Sequence, residues 1–147
     1  MEKLYKLLSD TQASLFVLFH KTWIYHWNVT GPNFKEYHDL FGIHYEEMFE
    51  EIDRITEHMR YLGMRPVSTL SRITEVSSVK QASNSNQIIT SENMVKELMK
   101  DHQKIVEMFS EVSNEAEKQN SKGTINLVDD LNEAHGKRVW MLRSFTQ

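Results

Sequence analysis

The sequence predicts an all-α fold, a bundle of four long helices in a single domain over residues 1–147. Three observations favour it. Helix breakers are sparse, with 2 Pro and 5 Gly in 147 residues. Apolar residues recur at three- and four-residue intervals, and no segment shows the alternation of a strand. A chain of this length has the usual size of one domain with one buried core.

A Gly-Pro break separates the first two predicted helices. The first is expected over residues 2–28, and Gly31-Pro32 ends it. Asn33 is a favourable N-cap for the second, with Glu36 three residues later as in a capping box. The expected apolar face of this second helix, in steps of three and four, is Tyr37, Phe41, Tyr45, Met48, Ile52, Ile55, Met59 and Leu62.

A long connection precedes the second pair of helices. A short helix is expected over residues 71–79 and a polar turn over 81–87. Thr90 or Ser91 is the expected cap of the third long helix, and Thr124 that of the fourth. The expected apolar faces are Met94, Leu98, Ile105, Phe109, Val112 and Ala116, then Leu127, Leu131, Ala134, Met141 and Phe145. One long crossover distinguishes such a bundle from a simple up-and-down bundle.

Composition excludes several classes of function. The chain has no cysteine, which rules out disulfides, thiolate zinc sites and iron–sulfur clusters. Any bound metal must be held by the seven histidines and the carboxylates. A net charge of −4 argues against a general affinity for nucleic acid. The first ten residues lack the apolar core of a secretory signal, and no apolar run is long enough to span a membrane, so we expect a cytoplasmic protein.

Four side chains are candidate metal ligands and catalytic residues. His26 lies at the end of the first helix and His38 one turn into the second. Asp53 and Glu57 follow on the second helix, and their spacing of four residues places them on one face. Imidazole together with carboxylate suits iron, zinc or manganese. The same spacing also fits an ordinary solvated face in which the two carboxylates pair with Arg54.

The length of the second helix limits where these residues meet. His38 and Asp53 are separated by 15 residues, or about 22 Å along a helix axis. One subunit therefore does not bring both ends of this helix to one metal ion. If all four side chains serve one site, the site lies across a two-fold interface that builds two equivalent copies of it.

The candidate ligands fall within a longer motif. Residues 26–34 (HWNVTGPNF), followed by His38 and by Asp53 and Glu57, resemble the ferroxidase signature of the Dps miniferritins. Residues 140–143 (WMLR) are similar to the closing motif of that family. The resemblance covers essentially the whole chain. It implies a ferritin-like four-helix bundle with a short helix in the long middle crossover.

The resemblance also implies an activity and an assembly. Dps proteins form hollow dodecamers, with ferroxidase centres at their two-fold interfaces. His26 and His38 would come from one subunit and Asp53 and Glu57 from its neighbour, binding and oxidising Fe(II), with zinc as a substitute metal. The oxidant is typically hydrogen peroxide, dioxygen being the other candidate, and the ferric product is stored inside the shell. An iron site inside one subunit is not expected, because no histidine here has a glutamate three residues before it.

Two departures from the family pattern leave alternatives open. The family usually has a carboxylate four residues after the second histidine, where this chain has Gly42. Its loss suggests an impaired or non-catalytic shell protein with a structural, zinc-binding or DNA-binding role. The N-terminal segment is also not a basic tail, because the first helix is expected from residue 2 and only Lys3 and Lys6 are basic among the first ten residues. Tail-mediated DNA binding is therefore not supported. A third hypothesis is a monomeric helical metal-binding regulator.

Overall fold

The computed structural model describes residues 1–82 and 88–147, and five α-helices lie in these ranges. They are α1 (Glu2–Asn28), α2 (Phe34–Tyr61), α3 (Leu70–Val76), α4 (Ser91–Lys118) and α5 (Lys122–Ser144). The four long helices form the bundle, with α1 against α2 and α4, and α4 against α5. The short α3 lies in the crossover and packs on α1. The predicted all-α bundle with a short helix in the long crossover is confirmed.

Most of the expected helix ends are confirmed. Thr90 caps α4, because its Oγ1 accepts the Asn93 N–H at 3.1 Å. Asn33 is the N-cap of α2, but its side chain makes no cap hydrogen bond. The short helix ends three residues earlier than expected because the Ser77 hydroxyl bonds the backbone of Val79. The polar turn expected over 81–87 lies largely outside the described residues.

The start of α5 differs from the prediction. The helix begins at Lys122, and its N-cap, Ser121, lies three residues before the expected cap Thr124. Thr124 is buried, and its Oγ1 lies 2.7 Å from the Ser121 hydroxyl and 2.8 Å from His58 Nε2. This threonine therefore joins the end of α2 to the first turn of α5 instead of capping the helix.

The core follows the predicted apolar faces of α2 and α4. Every expected residue of the α4 face is buried, as are Tyr37, Phe41, Met48, Ile55 and Met59 of α2. The predicted α5 face is only partly correct. Leu131 is buried, whereas Met141 and Phe145 are 39% and 40% exposed. The buried residues of α5 are Thr124, Val128, Leu131, His135, Arg138, Val139 and Leu142.

A buried ion pair explains the face that α5 turns inward. Arg138 Nη1 donates to both carboxylate oxygens of Glu51 at 2.8 Å, and the residues are only 4% and 5% exposed. This pair joins α5 to α2, a seam where the backbones approach each other less closely than elsewhere in the bundle. A charge buried this deeply is tolerated only when it is paired, so the two residues constrain each other.

Removal of one partner should therefore be costly. We expect Arg138→Met to lower the free energy of unfolding by about 3 kcal/mol, because it leaves the buried Glu51 carboxylate without its cationic partner. The matched control is Arg72→Met, which removes the exposed Arg72–Glu75 pair on α3 and should cost no more than about 0.5 kcal/mol. Urea denaturation at equal protein concentration measures both. Equal, small losses would show that the buried pair does not stabilise the bundle.

Candidate metal centre

His26 and His38 form a tightly associated pair across the α1–α2 junction. Their rings stack with centroids 3.8 Å apart and planes inclined by 15°. The His26 Nδ1 lies 2.7 Å from the carbonyl oxygen of His38, and the His38 Nδ1 lies 2.7 Å from the carbonyl oxygen of His26. Each residue thus fixes the ring of the other through its own backbone. The two histidines are 12 residues apart in sequence, across the Gly31-Pro32 break.

The reciprocal hydrogen bonds determine where the ring protons lie. A carbonyl oxygen only accepts, so each Nδ1 must carry the proton and donate it. In the neutral ring, Nε2 then carries a free lone pair. Among the described residues, neither Nε2 has a hydrogen-bond partner. A ring held by a carbonyl at one nitrogen and bare at the other is the usual form of a metal-binding histidine.

Aromatic side chains surround one flank of this pair. The Tyr45 ring lies 5.3 Å from that of His26, and Trp23 stacks on Tyr45 at 5.7 Å. Phe34 meets His38 edge to face at 5.0 Å. Trp27 adjoins Trp23 at 4.8 Å and remains 53% exposed. The histidine pair is therefore packed on one side and open to an exposed apolar surface on the other.

Asp53 and Glu57 lie farther along α2, and both are exposed. Neither makes a salt bridge with any described residue. Arg54, which the sequence offers as their partner, instead pairs with Asp130 of α5 at 3.0 Å. The two carboxylates share one helix face and have no described cationic partner on it.

The structure joins the four candidates as two pairs and not as one cluster. The helix that carries His38, Asp53 and Glu57 is continuous over 28 residues, so His38 and Asp53 lie about 22 Å apart along it. Two ligands of one metal ion are separated by only about 4 Å. Consistently, no three His, Asp or Glu side chains in the described ranges converge to hold a metal ion within one subunit.

A large aromatic side chain is exposed on α2 between the two pairs. Phe49, three turns after His38 and one turn before Asp53, is 64% exposed. Phe34, one turn before His38, is 40% exposed, and Trp27, next to His26, is 53% exposed. Large aromatic side chains that remain in solvent on a single chain are typical of a contact surface for another molecule.

A second group of histidines lies in the bundle core, and the sequence analysis missed it. His44, His102 and His135 are at most 1% exposed and come from α2, α4 and α5. The sequence could have indicated their burial, because each lies three or four residues from buried apolar residues of its helix. His44, for example, lies between Phe41 and Met48. Polar residues in that register are usually buried and paired.

Hydrogen bonds order this core group. His135 Nε2 lies 3.0 Å from Glu51 Oε1, and His135 Nδ1 lies 2.8 Å from His102 Nδ1. Arg138 Nη1 is farther from His135, at 3.3 Å, and already donates to Glu51. His135 therefore donates to Glu51 and accepts from His102, which leaves His102 Nε2 without a proton. That atom and both ring nitrogens of His44 lack partners among the described residues.

Burial keeps the core histidines neutral. It lowers the pKa of His44 to about 3, and the positive charge of Arg138 acts in the same direction. Burial likewise places the pKa of His102 well below its usual range and lowers that of His135. The ring centroids of His44 and His102 are 6.0 Å apart. The core group therefore supplies uncharged packing and hydrogen bonds.

The neutral core histidines should make the fold sensitive to acid. The folded-state pKa of His44, about 3, lies below the unfolded value of about 6.5, so protons bind the unfolded chain preferentially. Its contribution to stability is complete above about pH 6.5 and is lost as the pH falls toward the folded pKa. We expect His44→Leu to reduce the loss of unfolding free energy between pH 6 and pH 4 by about 2 kcal/mol.

Denaturation at each pH measures that loss, and His20→Leu provides the control because His20 is exposed. Parallel pH dependences in the wild type and His44→Leu would contradict the assignment of a buried neutral ring.

None of the helices in the described ranges has the length and apolar character needed to cross a bilayer.

Comparisons with known proteins give the same fold and place the chain in a family. The ferritin-like domain family matches residues 5–147. The DNA protection during starvation protein of Helicobacter pylori is 32% identical over 142 residues, covering 97% of each chain. The DNA protection during starvation protein 2 of Bacillus anthracis is 31% identical over 140 residues, covering 95% of this chain and 94% of that protein.

Solved structures agree over the whole length. Dps from Staphylococcus aureus superposes with a TM-score of 0.94 at 27% identity, covering 100% of this chain and 97% of its own. Dps from Thermosynechococcus elongatus gives a TM-score of 0.94 at 27% identity, covering 99% and 91%. The helical bundle, the paired histidines at the α1–α2 junction and these similarities together establish that the chain belongs to the Dps family of the ferritin-like superfamily.

Proposed function

We propose that this protein is a ferroxidase miniferritin that oxidises Fe(II) at sites shared between subunits and stores the ferric product in a hollow shell. Iron is the substrate and the cargo. The observation that carries the proposal is the histidine pair, in which His26 and His38 hold each other's Nδ1 and leave both Nε2 atoms free. These donors have no carboxylate partner in their own subunit, whereas Asp53 and Glu57 are exposed and unpaired within the described chain.

A two-fold dimer unites these two half-sites. If two α2 helices pack antiparallel, the His38 end of one lies beside the Asp53 end of the other. The same contact repeats on the other side of the axis and gives two equivalent centres. The Phe49 side chain between the half-sites, which is 64% exposed, would be covered by this contact. Twelve such subunits, as in the family, would close the proposed shell.

The mixed ligand set suits the oxidation of ferrous iron. Neutral imidazole and carboxylate both bind Fe(II). The carboxylates favour Fe(III) further, because attraction between opposite charges grows with the charge on the ion. Two Fe(II) ions give up one electron each, and one hydrogen peroxide takes both electrons with two protons and becomes two water molecules. This balance consumes peroxide without hydroxyl radical, which supports a protective role in the cytoplasm under oxidative stress.

A non-catalytic shell protein is the second candidate. It is favoured by Gly42, which supplies no carboxylate beside the histidine pair. Such a protein would assemble and bind zinc or another partner without oxidising iron efficiently. The monomeric-regulator hypothesis is separated from both by size-exclusion chromatography with light scattering, which distinguishes a shell of about twelve subunits from a single chain.

The first test removes the nitrogen donors. We expect the double variant His26→Ala, His38→Ala to oxidise Fe(II) at least about a hundredfold more slowly with peroxide, because the loss of ligands and their supports weakens metal binding on that scale. Ultraviolet absorbance of the ferric product measures the rate, and light scattering checks that the shell is intact. His20→Ala, at an exposed histidine, is the control. A rate equal to wild type in an intact shell would reject these ligands.

A second test asks whether the half-sites come from different subunits. Subunits carrying His26→Ala and His38→Ala are reassembled in equal amounts with subunits carrying Asp53→Ala and Glu57→Ala. Each variant alone should be inactive. Random pairing should restore about a quarter of the wild-type rate, since half of the dimers are mixed and each holds one intact centre. If the mixture stays inactive although light scattering shows mixed shells, the shared-site geometry is wrong.

A further inference from the structure

We infer that Gly42 is a positioning residue of the ferroxidase centre, whose missing side chain leaves the space in which the His26 ring is held. The inference rests on the proposed function, in which His26 binds iron. It also reverses the simplest interpretation of Gly42, namely that the chain has lost a ligand and kept a defective site. No part of the backbone demands glycine here, because Gly42 has ordinary helical geometry inside α2.

The contact between Gly42 and His26 is close. A Cβ built at position 42 would lie 3.0 Å from His26 Cε1 and 3.2 Å from His26 Nδ1. Ordinary contacts between carbon atoms begin at about 3.5 Å. Any side chain at this position would therefore push the imidazole away from α2. Glycine is one of the poorest residues for a helix interior, and the space that it leaves at position 42 is occupied by the edge of the His26 ring.

The contacts of the His26 ring restrict its movement. Its Nδ1 donates to the carbonyl oxygen of His38 at 2.7 Å. Its face stacks on the His38 ring at 3.8 Å, and Tyr45 lies at 5.3 Å. A displacement of a few tenths of an ångström would change the hydrogen bond that fixes the tautomer and the stacking on His38 at the same time. The substitution at position 42 thus acts on both nitrogen donors through His26.

It follows that a carboxylate at position 42 and the observed His26 position exclude each other. Gly42→Glu would add an oxygen donor but would displace an imidazole that the centre uses. In this chain the His26 ring therefore occupies the space on α2 that a carboxylate side chain at position 42 would need. The oxygen donors would then come from Asp53 and Glu57 of the neighbouring subunit.

Gly136 offers a matched control for a test of this idea. It also lies inside a helix, α5, and a Cβ there would meet nothing within 4 Å. Alanine at either position improves helix propensity equally, so any difference between the two variants reports on the contact with His26. The assembled shells of wild type, Gly42→Ala and Gly136→Ala are titrated with Zn²⁺ by calorimetry. Visible spectra of the Co²⁺-loaded shells report the ligand geometry.

We expect Gly42→Ala to weaken Zn²⁺ binding about tenfold, the size of effect found when an outer partner of a metal-bound histidine is lost, and to change the Co²⁺ spectrum. Gly136→Ala should match wild type in both measurements. A Gly42→Ala shell with wild-type affinity and spectrum would overturn the inference. If His26→Ala also left Zn²⁺ affinity unchanged, the proposed function itself would fail, so the two failures are distinguishable.

A double-mutant cycle with His26→Ala separates positioning from a general structural role. If Gly42 acts through His26, adding Gly42→Ala to His26→Ala should change Zn²⁺ affinity no further, because the ring that it displaces is absent. Independent, additive losses would overturn the inference. If Gly42→Ala alone fails to assemble, recovery of the shell in the double variant supports the clash, and continued failure contradicts it.

Discussion

The length of one uninterrupted helix determines how this subunit can act on a metal. Helix α2 runs for 28 residues without a break, and a helix rises about 1.5 Å per residue. Nitrogen donors at its beginning and oxygen donors near its end therefore never share an ion within one chain. The proposed iron chemistry would therefore depend on association, and the exposed Phe49 between the two half-sites favours the contact that would unite them.

Sequence patterns predicted the fold more completely than they predicted the site. Periodic apolar residues gave the four long helices, and the entire α4 face is buried as expected. The α5 face was predicted only in part, because His135 and Arg138 are buried on it through contacts with Glu51, which is 87 residues from Arg138 in sequence. The motif identified His26 and His38 as candidates. Their reciprocal hydrogen bonds and the space left by Gly42 depend on ångström-scale contacts between helices that no spacing rule reveals.

The subunit contains two groups of histidines, and their surroundings explain why only one suits a metal ion. In the core, His135 is hydrogen-bonded between Glu51 and His102, and the guanidinium of Arg138 lies 3.3 Å from its ring. A cation entering this region would meet that positive charge in a medium that screens it poorly. At the α1–α2 junction, backbone carbonyls hold His26 and His38 without adding a cation. The groups that hold these two rings are uncharged, so they do not repel a metal ion that approaches the free Nε2 atoms. The junction is the better candidate for a metal site because neutral carbonyl groups, and not a cation, hold its imidazole rings.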